Sequence, residues 1–186
     1  MNTAGVIYME GTVKESELIG KVHSAVCHQC QQRGYAAPAD VLVDVAFWHQ
    51  RMSGRLYQAI ANYIDSKNGQ CEVLAAPFAV FLNDDDINYV EPDISVICDL
   101  SKLDDKGCHG APDWVIEIVS PSSKPRDYMT KLFQYCTAGV REYWIVDPDK
   151  QMTMVYGFEK NTVEQYCFGE DVPSGIYEGF VTKMVV

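Results

Sequence analysis

The chain has 186 residues, a formal net charge of −11, and 47% hydrophobic against 22% charged residues. These are the proportions of a globular chain with a real core, so one domain over 1–186 is expected. No apolar run approaches the roughly 20 residues that cross a bilayer. The start, Met1-Asn-Thr-Ala-Gly-Val-Ile-Tyr8, lacks the basic region and long apolar stretch of a signal peptide. A cytoplasmic location without membrane association is therefore expected. The acidic balance argues against broad, nonspecific attraction to nucleic acid, which rests on Lys and Arg, although a bound cation or a local basic patch reverses the sign at one surface.

Residues 9–48 are the least patterned part. Glu15 to Lys21 and Val41 to Phe47 each fit a short strand, and Val22 to Gln32 fits a helix. The first firm element starts at His49, where Met52, Leu56, Ile60 and Tyr63-Ile64 recur at helical spacing until Asn68-Gly69 ends the helix. Cys71 to Leu82, rich in Val, Phe and Ala, and the run Tyr89 to Cys98 read as an antiparallel hairpin turned by Asn83-Asp-Asp-Asp86. Asp99 to Pro112 is a polar loop, and Asp113 to Ser120 is another strand. After the breaker Ser120-Pro-Ser-Ser-Lys-Pro125, a helix is predicted from Arg126 to Ala138, closed by Gly139, with Met129, Leu132, Phe133 and Cys136 as its buried stripe. Glu142 to Asp147 is a further strand, and Met152 to Tyr156 pairs with Val163 to Phe168 as a late hairpin.

Two of these strands carry a charge that needs a reason. Asp93 and Glu117 each stand among β-branched and aromatic residues, and a strand apolar on both faces is a buried one, where an unpaired carboxylate is costly. Acids on adjacent strands repel unless a cation or a shared proton compensates, and hard oxygen donors suit Mg²⁺ or Mn²⁺. Pro92 removes a ladder donor beside Asp93, which favours a distorted position where a side chain can be re-aimed. Lys131 is less marked: spacing alone favours an exposed lysine paired with Asp127.

Other groups are weaker. His23, Cys27, His28 and Cys30 offer zinc-type ligands, but no second Cys or His pair completes a tetrahedral set. The seven cysteines follow no framework spacing and read as reduced thiols with no need of disulfides. Cys108-His109 is most simply a surface pair, and His49 more simply a hydrogen-bonding residue than a general base. Ser120 and Ser122 lack a nucleophile elbow, and no glycine-rich phosphate cradle occurs. The late aromatics Tyr156, Phe158, Tyr166, Phe168, Tyr177 and Phe180 fit either a core or the face of a homodimer.

The segments Glu91-Pro-Asp-Ile-Ser-Val-Ile-Cys98, Gly110-Ala-Pro-Asp-Trp-Val-Ile-Glu-Ile-Val-Ser-Pro-Ser-Ser123, Asp127-Tyr-Met-Thr-Lys131-Leu-Phe-Gln-Tyr135 and Gly139-Val-Arg-Glu-Tyr-Trp-Ile-Val-Asp-Pro148 closely resemble the Uma family of bacterial restriction-endonuclease-like proteins in the PD-(D/E)XK superfamily. The resemblance covers residues 49–158, with 1–48 divergent and 159–186 forming additional C-terminal strands. It implies a mixed α/β fold, a restriction-endonuclease-like core in which a mixed sheet is flanked by helices. It also implies Asp93 and Glu117 as metal ligands for Mg²⁺ or Mn²⁺, DNA as substrate, and Lys131 as the catalytic lysine. The superfamily's usual lysine position is Val119 here, and Lys131 matches a migrated position on the following helix. The family's Glu-Leu-Ile-Asp-Gly segment has only Glu17-Leu-Ile-Gly20 as a likeness. A metal-dependent endonuclease is therefore expected, the alternative being a noncatalytic module that keeps the fold for binding.

Overall fold

The computed structural model describes residues 7–8, 45–83, 87–119 and 125–185, without the side chains of 7, 8, 45, 46 and 125–128. The expectations for Glu17, for the elements between residues 9 and 44 and for the His23–Cys30 ligand group lie outside the described residues.

Helix α1 (Val45–Ser66) begins four residues before His49 and takes in Val45 to Phe47, which are helical rather than a strand. Met52, Leu56, Ile60 and Ile64 form its buried stripe, one residue per turn. Asn68 adopts a left-handed conformation (φ 52°), and the Gly69 amide bonds the Ile64 carbonyl at 2.9 Å, so the helix closes where the sequence predicts.

A seven-stranded mixed sheet follows the order β1-β9-β8-β7-β6-β4-β2. Its strands are β1 (Ile7–Tyr8), β2 (Glu72–Ala75), β4 (Ile94–Ile97), β6 (Trp114–Ile118), β7 (Glu142–Asp147), β8 (Met152–Gly157) and β9 (Thr162–Cys167). β6 and β7 run parallel, joined through helix α2 (Pro125–Ala138), and every other neighbouring pair is antiparallel. The predicted hairpin of the Cys71 and Asp93 segments is present as β2 against β4. Val80–Phe81 (β3) leaves it to pair in parallel with Cys108–His109 (β5). The polar loop therefore contains a short strand, and Cys108 is buried rather than superficial, with its thiol pushed up to about 11 by burial.

The central strands are covered on both faces, which is why they read as unbroken apolar runs. One face packs Ile94, Val96, Trp114, Ile116, Trp144 and Val146 against α1 and against a C-terminal hairpin, β10 (Asp171–Pro173) with β11 (Val181–Lys183). The other packs Val115, Tyr143 and Ile145 beneath α2. Tyr156, Tyr166, Phe168 and Phe180 are buried in these cores, and Phe158 and Tyr177 pack half-buried against them, so these late aromatics serve the core. Cys71 and Cys98 stand one pair beyond the β2–β4 ladder and form a disulfide. The expectation of reduced thiols throughout fails there, because antiparallel pairing brings together cysteines that are 27 residues apart in sequence.

The buried face of α2 also departs from expectation. Met129 is 40% and Phe133 54% exposed, Cys136 is exposed, and the residue turned fully inward is Tyr135. The helix is rotated so that Lys131 and Tyr135, one turn apart, face the sheet. What they meet there is Glu117, and leaving a buried carboxylate without donors costs more than leaving one phenylalanine wet.

Candidate active site

Register sets the geometry. In the β4–β6 ladder Ile94 pairs with Ile116 and Ser95 with Val115, so the next positions outward are Asp93 and Glu117, with Glu117 on the face that α2 covers. Glu117 sits near the carboxyl end of β6, where the chain leaves for α2, the end of a parallel strand at which α/β sheets bind ligands.

Glu117 is 9% exposed. Its Oε1 accepts from the Tyr135 hydroxyl at 2.7 Å and from Lys131 Nζ at 3.0 Å, while no described residue donates to Oε2. Burial raises its pKa; Lys131 and Tyr135 pull against that rise. The Tyr135 phenol is itself driven upward, first by burial and then by Glu117, so it stays a hydrogen-bond donor. The side chain of Asp93 is held differently. The Ile118 amide donates to its Oδ2 at 2.7 Å, and His49 Nε2 lies 3.2 Å from both carboxylate oxygens. The hydrogen bond with Asp93 raises the His49 pKa, and burial opposes it. His49 reaches across because its place in the first turns of α1 puts it beside the start of β4.

The three predicted site residues are thus brought together, Asp93 and Glu117 by register and Lys131 by its contact with Glu117. Tyr135, four residues after Lys131, was not foreseen as a partner; His49 takes the hydrogen-bonding role expected of it, but Asp93 as its partner was not foreseen. The signal for Tyr135 was available as a one-turn spacing from the lysine. That for His49 was not, since 44 residues separate it from Asp93.

Among the described residues no three His, Cys, Asp or Glu side chains converge closely enough to hold a metal. Two carboxylates nevertheless suit Mg²⁺, which takes one or two protein carboxylates and keeps several waters. They do not make a tetrahedral zinc site.

An α-helix on each side of a mixed sheet, with acids meeting at one strand end, defines a nuclease-like fold. A crystal structure described as a putative nuclease belonging to DUF820 from Anabaena variabilis superposes with a TM-score of 0.54 at 23% identity, covering 68% of this chain and 72% of that one. Residues 16–180 match the Uma2 family, described as "Putative restriction endonuclease", and the chain belongs to that family. The match extends past 49–158 in both directions and includes Glu17. No curated protein matches the chain. No helix among the described residues is long and apolar enough to cross a membrane.

Proposed function

We propose that the protein is a metal-dependent endonuclease that hydrolyses phosphodiester bonds in DNA within the cytoplasm. Asp93 and Glu117 hold Mg²⁺ or Mn²⁺, and Lys131 positions the attacking water or the phosphate. The observation that carries this reading is the meeting of Asp93, Glu117 and Lys131 from three separate segments at one end of β6. Membership of the Uma2 family supports it.

Hydrolysis adds water across a P–O bond: the water oxygen bonds phosphorus, and the leaving oxygen departs with a proton. A bound divalent cation would supply charge neutralisation at the phosphate and a more acidic water. Tyr135 and Lys131 occupy Glu117 Oε1, so Oε2 is the oxygen that would take a cation. The Ile118 amide and His49 fix the orientation of the Asp93 carboxylate. Lys131, 39% exposed along its side chain, can reach toward a phosphate as a point charge.

The test is cleavage of supercoiled and single-stranded DNA with Mg²⁺ or Mn²⁺, wild type beside Asp93→Ala, Glu117→Ala and Lys131→Ala. Metal-dependent nicking lost in all three variants is the expected result. A folded wild-type protein that cuts neither substrate with either metal overturns the reading and leaves a noncatalytic nuclease fold.

A further inference from the structure

A trough of about 220 Å³ runs between α1 and the corner after β2, walled by His49, Gln50, Ser53, Gly54, Tyr57 and the Ala75-Ala76 pair, and it opens onto Asp93. We propose that this trough receives one unstacked nucleobase of the strand being cut, beside the scissile phosphate. The proposal rests on the nuclease reading and deepens it by naming the substrate as single-stranded or locally unpaired DNA.

Size comes first. The trough is smaller than the roughly 300–1,000 Å³ of sites for drug-sized ligands, so it suits one planar ring system and is too small for a base pair. Chemistry comes second. Apart from His49, whose ring is engaged by Asp93, its walls offer no cationic side chain to neutralise phosphate. The Tyr57 ring is 38% exposed, and an aromatic face is the usual platform for an unpaired base because every base has a π-face. Gln50 and Ser53 add an amide and a hydroxyl able to meet base edges, and no described residue hydrogen-bonds the side chains of Gln50, Ser53 or Tyr57.

Gly54 is the independent observation. Glycine is the poorest helix former after proline, yet it stands inside a 22-residue helix. A Cβ built there would meet nothing within 4 Å. Packing within the protein therefore does not call for glycine at this position, which lines the trough. Recognition by stacking also agrees with a chain of net charge −11, which cannot rely on many phosphate contacts.

Anisotropy of a short fluorescein-labelled single-stranded oligonucleotide, and of the same sequence as a duplex, tests this with Ca²⁺ replacing Mg²⁺ so that binding is read without cleavage. Gly54→Leu fills the trough, Tyr57→Ala removes its platform, and Gly54→Ala gauges the helix. Both trough variants are expected to weaken single-strand binding roughly tenfold, the scale of one base–aromatic stack, with duplex binding little changed. Gly54→Ala and Gly54→Leu are expected to melt at or above the wild-type temperature, which separates lost binding from lost folding. Unchanged single-strand affinity in Gly54→Leu, an equal loss on duplex, or no single-strand binding by wild type overturns the proposal. Selective loss in a protein that cuts nothing upholds the trough while removing the nuclease reading. Mg²⁺-dependent cutting undiminished in Gly54→Leu does the reverse.

Discussion

Two buried glutamates occupy the parallel strands β6 and β7, and they are handled in opposite ways. Glu142, fully buried at the amino end of β7, has a donor for each oxygen: Trp144 Nε1 on Oε1 at 2.7 Å and the Gly175 amide on Oε2 at 2.6 Å. These neutral donors tie the sheet to the segment that precedes Phe180, which itself packs against Trp114. Glu117, near the carboxyl end of β6 and on the other face, has both of its donors on one oxygen and a second carboxylate as its neighbour. Burial raises the pKa of both. Burial of a carboxylate thus does not identify a site; an oxygen to which no described residue donates, beside a like charge, is what separates the candidate active site from a structural tie.

The sharpest challenge to this contrast is Glu117→Ala against Glu142→Ala. The first is expected to drop metal-dependent cleavage to background in a protein that still melts cooperatively. The second is expected to lose about 2–5 kcal/mol of stability, because two buried donors are orphaned, with the cleavage rate per folded molecule unchanged; chemical denaturation and nicking assays read both. If Glu142→Ala also abolished cleavage in folded protein, the contrast would collapse.

A smaller effect is expected of Lys131→Ala, about 10²–10³-fold in cleavage rate, the scale for one charge-stabilising donor. Tyr135→Phe keeps the ring that packs on Tyr143 and deletes only the hydroxyl. It should raise the Mg²⁺ concentration needed for half-maximal cleavage roughly 10- to 100-fold, as for groups that orient a metal ligand, with little change in melting temperature. An unchanged metal requirement would make Tyr135 a packing residue only.

The smallest effect is on pH dependence. A carboxyl whose folded pKa lies above its unfolded value, as burial makes that of Glu142, contributes stability that is full below the unfolded pKa and is lost as pH rises through the folded one. The stability of wild type relative to Glu142→Gln should therefore fall as pH rises from the ordinary carboxylate range, then level off. Thermal melts across that range check the sign, and a difference that grew with pH in favour of wild type would contradict it.

Much of this was legible without coordinates. The stripe Met52, Leu56, Ile60 and Ile64 is a local pattern, as is the apolar run around Glu117, and each was readable because its periodicity reflects burial directly. Asp93 and Glu117 were visible as charges out of place in such runs. The α2 stripe misled for an instructive reason: Met129 and Phe133 fit the helical period, but the polar demand of Glu117 decided which face turned inward, and that demand comes from another strand.

The sequence by itself therefore marked most of the helices and strands and singled out the two acids, since these follow from side chains a few residues apart, but not the first turn of α1 or the short strands β3 and β5. Only the tertiary structure decided that Asp93 faces Glu117, that His49 and Tyr135 hold them, and that Cys71 meets Cys98. Those pairings depend on strand register and helix rotation, which are set by the packing of the whole sheet and not by any local run of residues.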